Sequence, residues 1–98
     1  MYIRLVRFGF QPGRQDVAQR LADDLVRQIA AQPGCHGVTC FGDNERSEYG
    51  LYVRWETQES ADAAAVVIRP QLNSYLEGNV ARPPEMGLYQ VINEVLTA

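Results

Sequence analysis

Histidine and tryptophan each occur once in the 98 residues, cysteine twice, and the nine basic residues form no cluster. Each shortage excludes something. One histidine with two ill-spaced cysteines cannot build a zinc site or a non-haem iron triad. Cys35 and Cys40 stand an odd number of residues apart, which on a regular strand puts them on opposite faces. No local disulfide is expected, and both read as small apolar side chains beside a core. Without a basic patch, and with a net charge of −3 and a pI of about 5.0, nucleic acid is not an expected partner. No apolar run approaches the roughly 18 residues of a membrane span. Met1 to Arg7 alternates charged with apolar residues and lacks the continuous apolar stretch of a signal peptide. A cytoplasmic protein with no membrane partner is therefore expected. No glycine-rich phosphate loop is present, and no serine is placed beside the histidine for a triad.

What is present is ordinary for a globular domain: 46% apolar and 21% charged residues. The length suits a single domain over 1–98. Residues 2–10 alternate, with Tyr2, Arg4, Val6, Phe8 and Phe10 on one face and Ile3, Leu5 and Arg7 on the other, a strand pattern ended by Pro12-Gly13. From 15 to about 32, Val17, Leu21, Leu25 and Ile29 recur at spacings of four, an amphipathic helix stopped by Pro33-Gly34. Residues 35–42 and 48–55, joined by a polar turn, read as a hairpin. Thr57 is a suitable N-cap for a second helix with a small apolar face of Ala61, Ala64, Ala65 and Ile68. Pro70 is expected to break that helix, leaving a further helical piece over 71–76. Residues 86–95 alternate again as a fourth strand.

The order β-α-β-β-α-β is the split βαβ arrangement. It predicts an α+β, ferredoxin-like domain: a four-stranded antiparallel sheet with both helices on one face. Both faces of the strands carry large apolar groups, and two helices cover only one. An uncovered face bearing Tyr49, Leu51, Val53, Trp55, Val6 and Phe8, or their counterparts, is larger than monomers usually tolerate. A homodimer with sheet packed on sheet is expected.

Three segments carry a resemblance: Phe10-Gln11-Pro12-Gly13 after the first strand, Gln32-Pro33-Gly34-Cys35-His36-Gly37 before the second, and Tyr52-Val53-Arg54-Trp55-Glu56-Thr57 closing the third. With these the chain resembles the antibiotic biosynthesis monooxygenase superfamily of dimeric α+β barrels, and the Gly-Cys-His-Gly run is most like its quinol-monooxygenase branch. The resemblance implies a pocket between sheet and helices for a flat aromatic or quinone-like molecule, oxidised with O₂ and often without metal or flavin; no cofactor is expected. Trp55 matches the family tryptophan. Haem-degrading relatives combine it with an asparagine on strand one and a histidine on helix two; here Val6 stands at the first position and the second helix has no histidine. In the Pro-His-x-x-x-Tyr run of quinol-oxidising relatives, Gln71 takes the histidine position and Tyr75 keeps the tyrosine.

Cofactor-free oxygenation needs a deprotonated, electron-rich substrate and a base or oxyanion stabiliser in a dry pocket. His36, Arg4 and Tyr75 are the catalytic candidates. His36 is the only histidine, the side-chain type suited to proton transfer near neutral pH, although a packing role at the strand start competes. Arg4, if it faces inward, needs an acidic partner or an anionic substrate. Tyr75, like Tyr49, offers a hydroxyl to an enolate or phenolate oxygen. Trp55, Tyr49, Val6, Phe8 and Gln71 are the substrate-binding candidates; Asn73 is weaker. Two alternatives stand beside the oxygenase reading: an isomerase or cyclase on the same barrel, and a non-catalytic dimer that binds a small ligand.

Overall fold

A computed structural model describes all residues, 1–98. Its order is β1 (Tyr2–Gly9), α1 (Gln15–Ala30), β2 (Cys35–Asp43), β3 (Glu48–Trp55), α2 (Gln58–Leu76) and β4 (Glu85–Gln90). One antiparallel sheet runs β2-β3-β1-β4. This is the expected ferredoxin-like fold.

The register fixes the faces. Tyr2, Arg4, Val6 and Phe8 lie beside Trp55, Val53, Leu51 and Tyr49. These residues share one side of the pleat. All but Tyr2 and Arg4 are buried there, together with Ala18, Leu21, Leu25 and Ile29 of α1 and Ala61, Ala64, Ile68, Leu72 and Leu76 of α2. Of the two faces between which the sequence left the choice open, the helices therefore cover this one. Its counterpart is the bare one: Ile3 and Leu5 of β1, Phe41 of β2, Tyr52 of β3 and Tyr89 of β4, with Arg7 and Arg54 among them. Phe41 and Tyr89 are exposed. Both rings occupy the space that a Cβ would need at a neighbouring glycine, Phe41 at Gly50 and Tyr89 at Gly87. Each ring is thus laid over a glycine of the open face, which also carries the charged Arg7, Glu48, Arg54 and Glu85.

Three local departures have physical causes. A β-bulge separates Cys35 from Gly37, and His36 is the residue without a partner on β3. It absorbs the odd spacing, so Cys35 opposite Trp55 and Cys40 opposite Leu51 face the same side, both packed on the core as free thiols. Burial raises the Cys40 pKa, which keeps it a thiol. Pro70 does not break α2, which runs unbroken to Leu76. The carbonyl it leaves without a donor belongs to Val66, on the solvent side where water can bind it. Finally, β4 ends at Gln90, opposite Tyr2; the Val91 amide takes the Met1 carbonyl at 2.9 Å and no β1 residue remains to pair with. Residues 91–98 leave the sheet, tied by a 2.6 Å bond from Arg54 Nη2 to Glu94 Oε1. Ile92, Val95 and Leu96 stay bare to solvent.

The helix ends follow local chemistry. Thr57 Oγ1 accepts from the Ser60 amide at 3.0 Å, the expected cap. Gly34 has φ of 81° and accepts at its carbonyl from the Glu56 amide, while the Ser60 side chain fills the place where its Cβ would sit. This contact seats the start of α2 against the entry to β2. No helix is long and apolar enough to cross a membrane.

Candidate functional site

The helix-covered face carries long side chains except where α2 meets it. There Ala61, Ala64 and Ala65 are too short to fill the space above the sheet. The result is a narrow apolar gap of about 50 Å³, floored by Val6, Leu51, Val53 and Trp55 and roofed by the alanines with Ile68 and Leu72. Trp55 is only 3% exposed. The two charged members of the lining are Arg4 and Arg69; of all its members, Arg69 and Met86 are the most exposed and mark its mouth.

Arg4 comes from the middle of the sheet and reaches up beside α2. Its side chain is 16% exposed and lies 3.6 Å from Asp62 of the first turns of that helix. Burial and the like charge of Arg69 hold its pKa below the ordinary value, and Asp62 partly offsets both. A guanidinium remains charged regardless. A shielded cation at the edge of an apolar gap is equipped to hold a developing oxyanion.

The predicted residues do not converge on one place. Arg4, Val6 and Trp55 meet at this gap. Phe8 and Tyr49 lie at the other end of the face, in an aromatic cluster with Phe10 whose centroids are 5.1 to 6.1 Å apart. The Tyr49 hydroxyl donates to Asn44 Oδ1 at 2.8 Å, and burial followed by nearby Asp43 raises its pKa. His36 is exposed on the edge-strand bulge. Gln71 donates weakly to the Val67 carbonyl, at 3.4 Å, one turn back on α2. Asn73 is exposed. Tyr75 joins the helices: its hydroxyl donates to Asp24 Oδ2 at 2.7 Å, while Gln28 donates to Asp24 Oδ1 at 2.6 Å.

That helix pin has a testable pH signature. Hydrogen bonds from Tyr75 and then Gln28 lower the Asp24 pKa below its ordinary value, and the bond to Asp24 raises the Tyr75 pKa. A depressed carboxylate stabilises the fold above its unfolded pKa and loses that contribution as pH falls through the folded value. Tyr75→Phe should therefore lower the urea midpoint at neutral pH. The difference from wild type should shrink below about pH 4. A difference constant across that range would place the Tyr75 contribution in ring packing instead of the hydroxyl.

A second depression, of about 440 Å³, runs between α1 and β2 past Gln15, Gln19, Cys40 and Tyr49. Its size suits a ligand better than the gap does. It is nevertheless a polar trough with exposed walls, and its one inward hydroxyl is already bonded to Asn44. We favour the gap, where apolar lining and a shielded cation coincide. The reading from sequence missed Asp62 and Arg69, which lie seven residues apart on α2 and so share a helix face. That spacing is in the sequence, but it does not distinguish a pocket edge from a solvated helix face. No three His, Cys, Asp or Glu side chains gather closely enough to hold a metal ion.

Among known proteins, no curated sequence matches the chain. Solved structures share its fold at low identity. NE2512, a protein of unknown function from Nitrosomonas europaea, is 15% identical with a TM-score of 0.83, over 99% of this chain and 94% of that one. Rv0793 from Mycobacterium tuberculosis is 17% identical with a TM-score of 0.78, over 97% and 98%. A variant of SnoaB, a cofactor-independent oxygenase from Streptomyces nogalater, is 15% identical with a TM-score of 0.78, over 96% and 95%. The family model of antibiotic biosynthesis monooxygenases matches residues 1–65. The match spans Arg4, Val6, Trp55 and the alanines of α2 but not Arg69 or Met86. With more than half of its length matched, this chain belongs to the antibiotic biosynthesis monooxygenase family.

Proposed function

We propose that the chain is a single-domain, cytoplasmic, cofactor-independent monooxygenase of small hydroxylated aromatics or quinols, working as a homodimer with one pocket in each protomer. The observation that carries the reading is Arg4, a shielded cation against an apolar gap that also holds Trp55. A phenol bound there becomes more acidic, because its anion is stabilised more than its neutral form. The electron-rich anion reduces O₂; one oxygen atom enters the ring, and the other leaves as water with the two hydrogens lost when the phenol becomes a quinone.

At about 50 Å³ the gap is smaller than the roughly 150 Å³ that takes benzene in an engineered cavity. A ring enters only if the roof or rim gives way. Met86, unbranched and at the exposed rim, is the side chain best suited to swing aside. The dimer is supported by the uncovered sheet face, with its exposed Phe41 and Tyr89, and by the bare Ile92, Val95 and Leu96 of the tail.

Oxygen uptake with a panel of naphthols and quinols tests the reaction. Wild type should consume O₂ above the blank, and Arg4→Gln should lower kcat/KM by about ten- to a hundredfold. Substrate conversion without O₂ uptake would favour the isomerase or cyclase. Saturable binding with no conversion would favour a ligand-binding dimer, a reading supported by the absence of His36, Gln71 and Tyr75 from the lining of the gap.

A further inference from the structure

We infer that the ligand of this pocket is a monoanion: a compact apolar body carrying one carboxylate, or one phenol or enol acidic enough to be ionised at neutral pH, seated between Arg4 and Arg69. The inference rests on the proposed use of the gap and names the class of molecule that fits it.

Three charged groups meet at the mouth. Arg4 and Arg69 line it, and Asp62 stands 3.6 Å from Arg4. No other charged side chain lines the gap, which leaves a local surplus of one positive charge on a chain whose net charge is −3. The surplus is not neutralised elsewhere. The ion pairs of the structure engage Arg4, Arg20, Arg46, Arg54 and Arg82, and Arg69 is in none of them. Asp62 is a weak competitor for Arg4, being 60% exposed and beyond hydrogen-bonding distance. A ligand oxyanion that enters with an apolar body displaces little, gains two guanidinium donors and brings the mouth to neutrality. Guanidinium forks suit a carboxylate especially well. A neutral ligand leaves the like-charged pair Arg4 and Arg69 uncompensated, and a cation adds to the repulsion.

The probe set is 4-nitrobenzoate, its methyl ester, 4-nitrobenzylamine and 4-nitrophenol, followed by quenching of Trp55, the chain's one tryptophan, with correction for absorbance. The carboxylate should bind about tenfold more tightly than the ester, the ammonium should be weakest, and added salt should narrow the differences. The phenol should tighten as pH rises through its own ionisation; if it does so while the carboxylate binds no better than its ester, the seat is for a phenolate. Arg69→Gln, at an exposed position, should weaken the anions by about three- to fivefold and leave the ester unchanged. Asp62→Asn should tighten the anions, a gain that damage to the fold does not produce. Equal affinity for all four probes, or insensitivity of every anion to both substitutions, overturns the inference. Selective anion binding with no O₂ uptake from any substrate would sink the oxygenase reading and leave the anion seat standing. O₂ uptake from neutral naphthols, with no anion preference, would do the reverse.

Discussion

Tyr52→Asp is expected to turn a particle of twice the 11.0 kDa chain mass into one of 11.0 kDa in light scattering at micromolar concentration. Tyr52 lies between Leu5 and Thr39 in the middle of the open face. Packed sheets stand about 10 Å apart, so in the proposed dimer a residue there would meet the second sheet directly. Interfaces of standard size bury about 800 Å² on each side, and their central aromatic residues dominate the binding energy. Burying a carboxylate in that layer costs several kcal/mol of desolvation, which pairing with Arg7 or Arg54 of the same face repays only in part, enough to lose association at this concentration. The same residue in the monomer faces water, so the far-UV spectrum should persist. Val66→Asp, at a position 77% exposed on the solvent side of α2, is the control and should leave the dimer intact. A wild type that is already monomeric and folded would remove the barrel from the proposal.

The other large effect is at Trp55. Trp55→Ala should cost about 3–5 kcal/mol of folding stability, a large share of the 5–15 kcal/mol typical of a domain. Urea unfolding followed by circular dichroism measures it, since the fluorophore is gone. The milder Trp55→Phe retains most of the packing and should weaken aromatic probes several-fold; aromatic contacts add about 0.5–1.5 kcal/mol beyond area burial. With its intrinsic fluorescence lost, that variant is followed by calorimetry. Trp55 points away from the open face, so neither variant should alter the particle mass while folded. Dissociation of folded Trp55→Phe would mean that the residue supports the interface.

The element order and the one-sided placement of the helices were legible because α1 keeps a strict apolar stripe and the strands alternate cleanly. Which side of the sheet the helices take was not. In β1, Val6 and Phe8 are no more apolar than Ile3 and Leu5, and β3 sets Leu51 and Val53 against Tyr52, so period alone leaves the side open. The bulge at His36 was hidden for a related reason: one inserted residue reverses the parity of the strand before it, and no propensity marks the place. The end of β4 depends on where β1 begins, which is a property of the pair of strands. Arg4 was legible as a cation sharing a face with Val6 and Phe8, but whether that face turned inward was open with the side of the helices. Asp62 and Arg69 were not, because charged residues bordering an alanine face look the same whether they edge a pocket or face water.

The rings of Phe41 and Tyr89, laid over Gly50 and Gly87, bear on how the chain can drift in sequence. A Cβ at residue 50 would press on the Val6 carbonyl oxygen at 2.8 Å as well as on the Phe41 ring, and backbone does not yield easily. At residue 87 the three nearest atoms all belong to the tip of the Tyr89 ring, the closest at 2.6 Å, and that tip can lift away. A substitution at the first position harms each protomer by itself. At the second, the protomer can accommodate it by raising a ring out of the plane, and the burden passes to whatever lies against that plane. Two glycines alike in role within one sheet are thus answerable to different selective demands, one internal to the molecule and the other to the company it keeps.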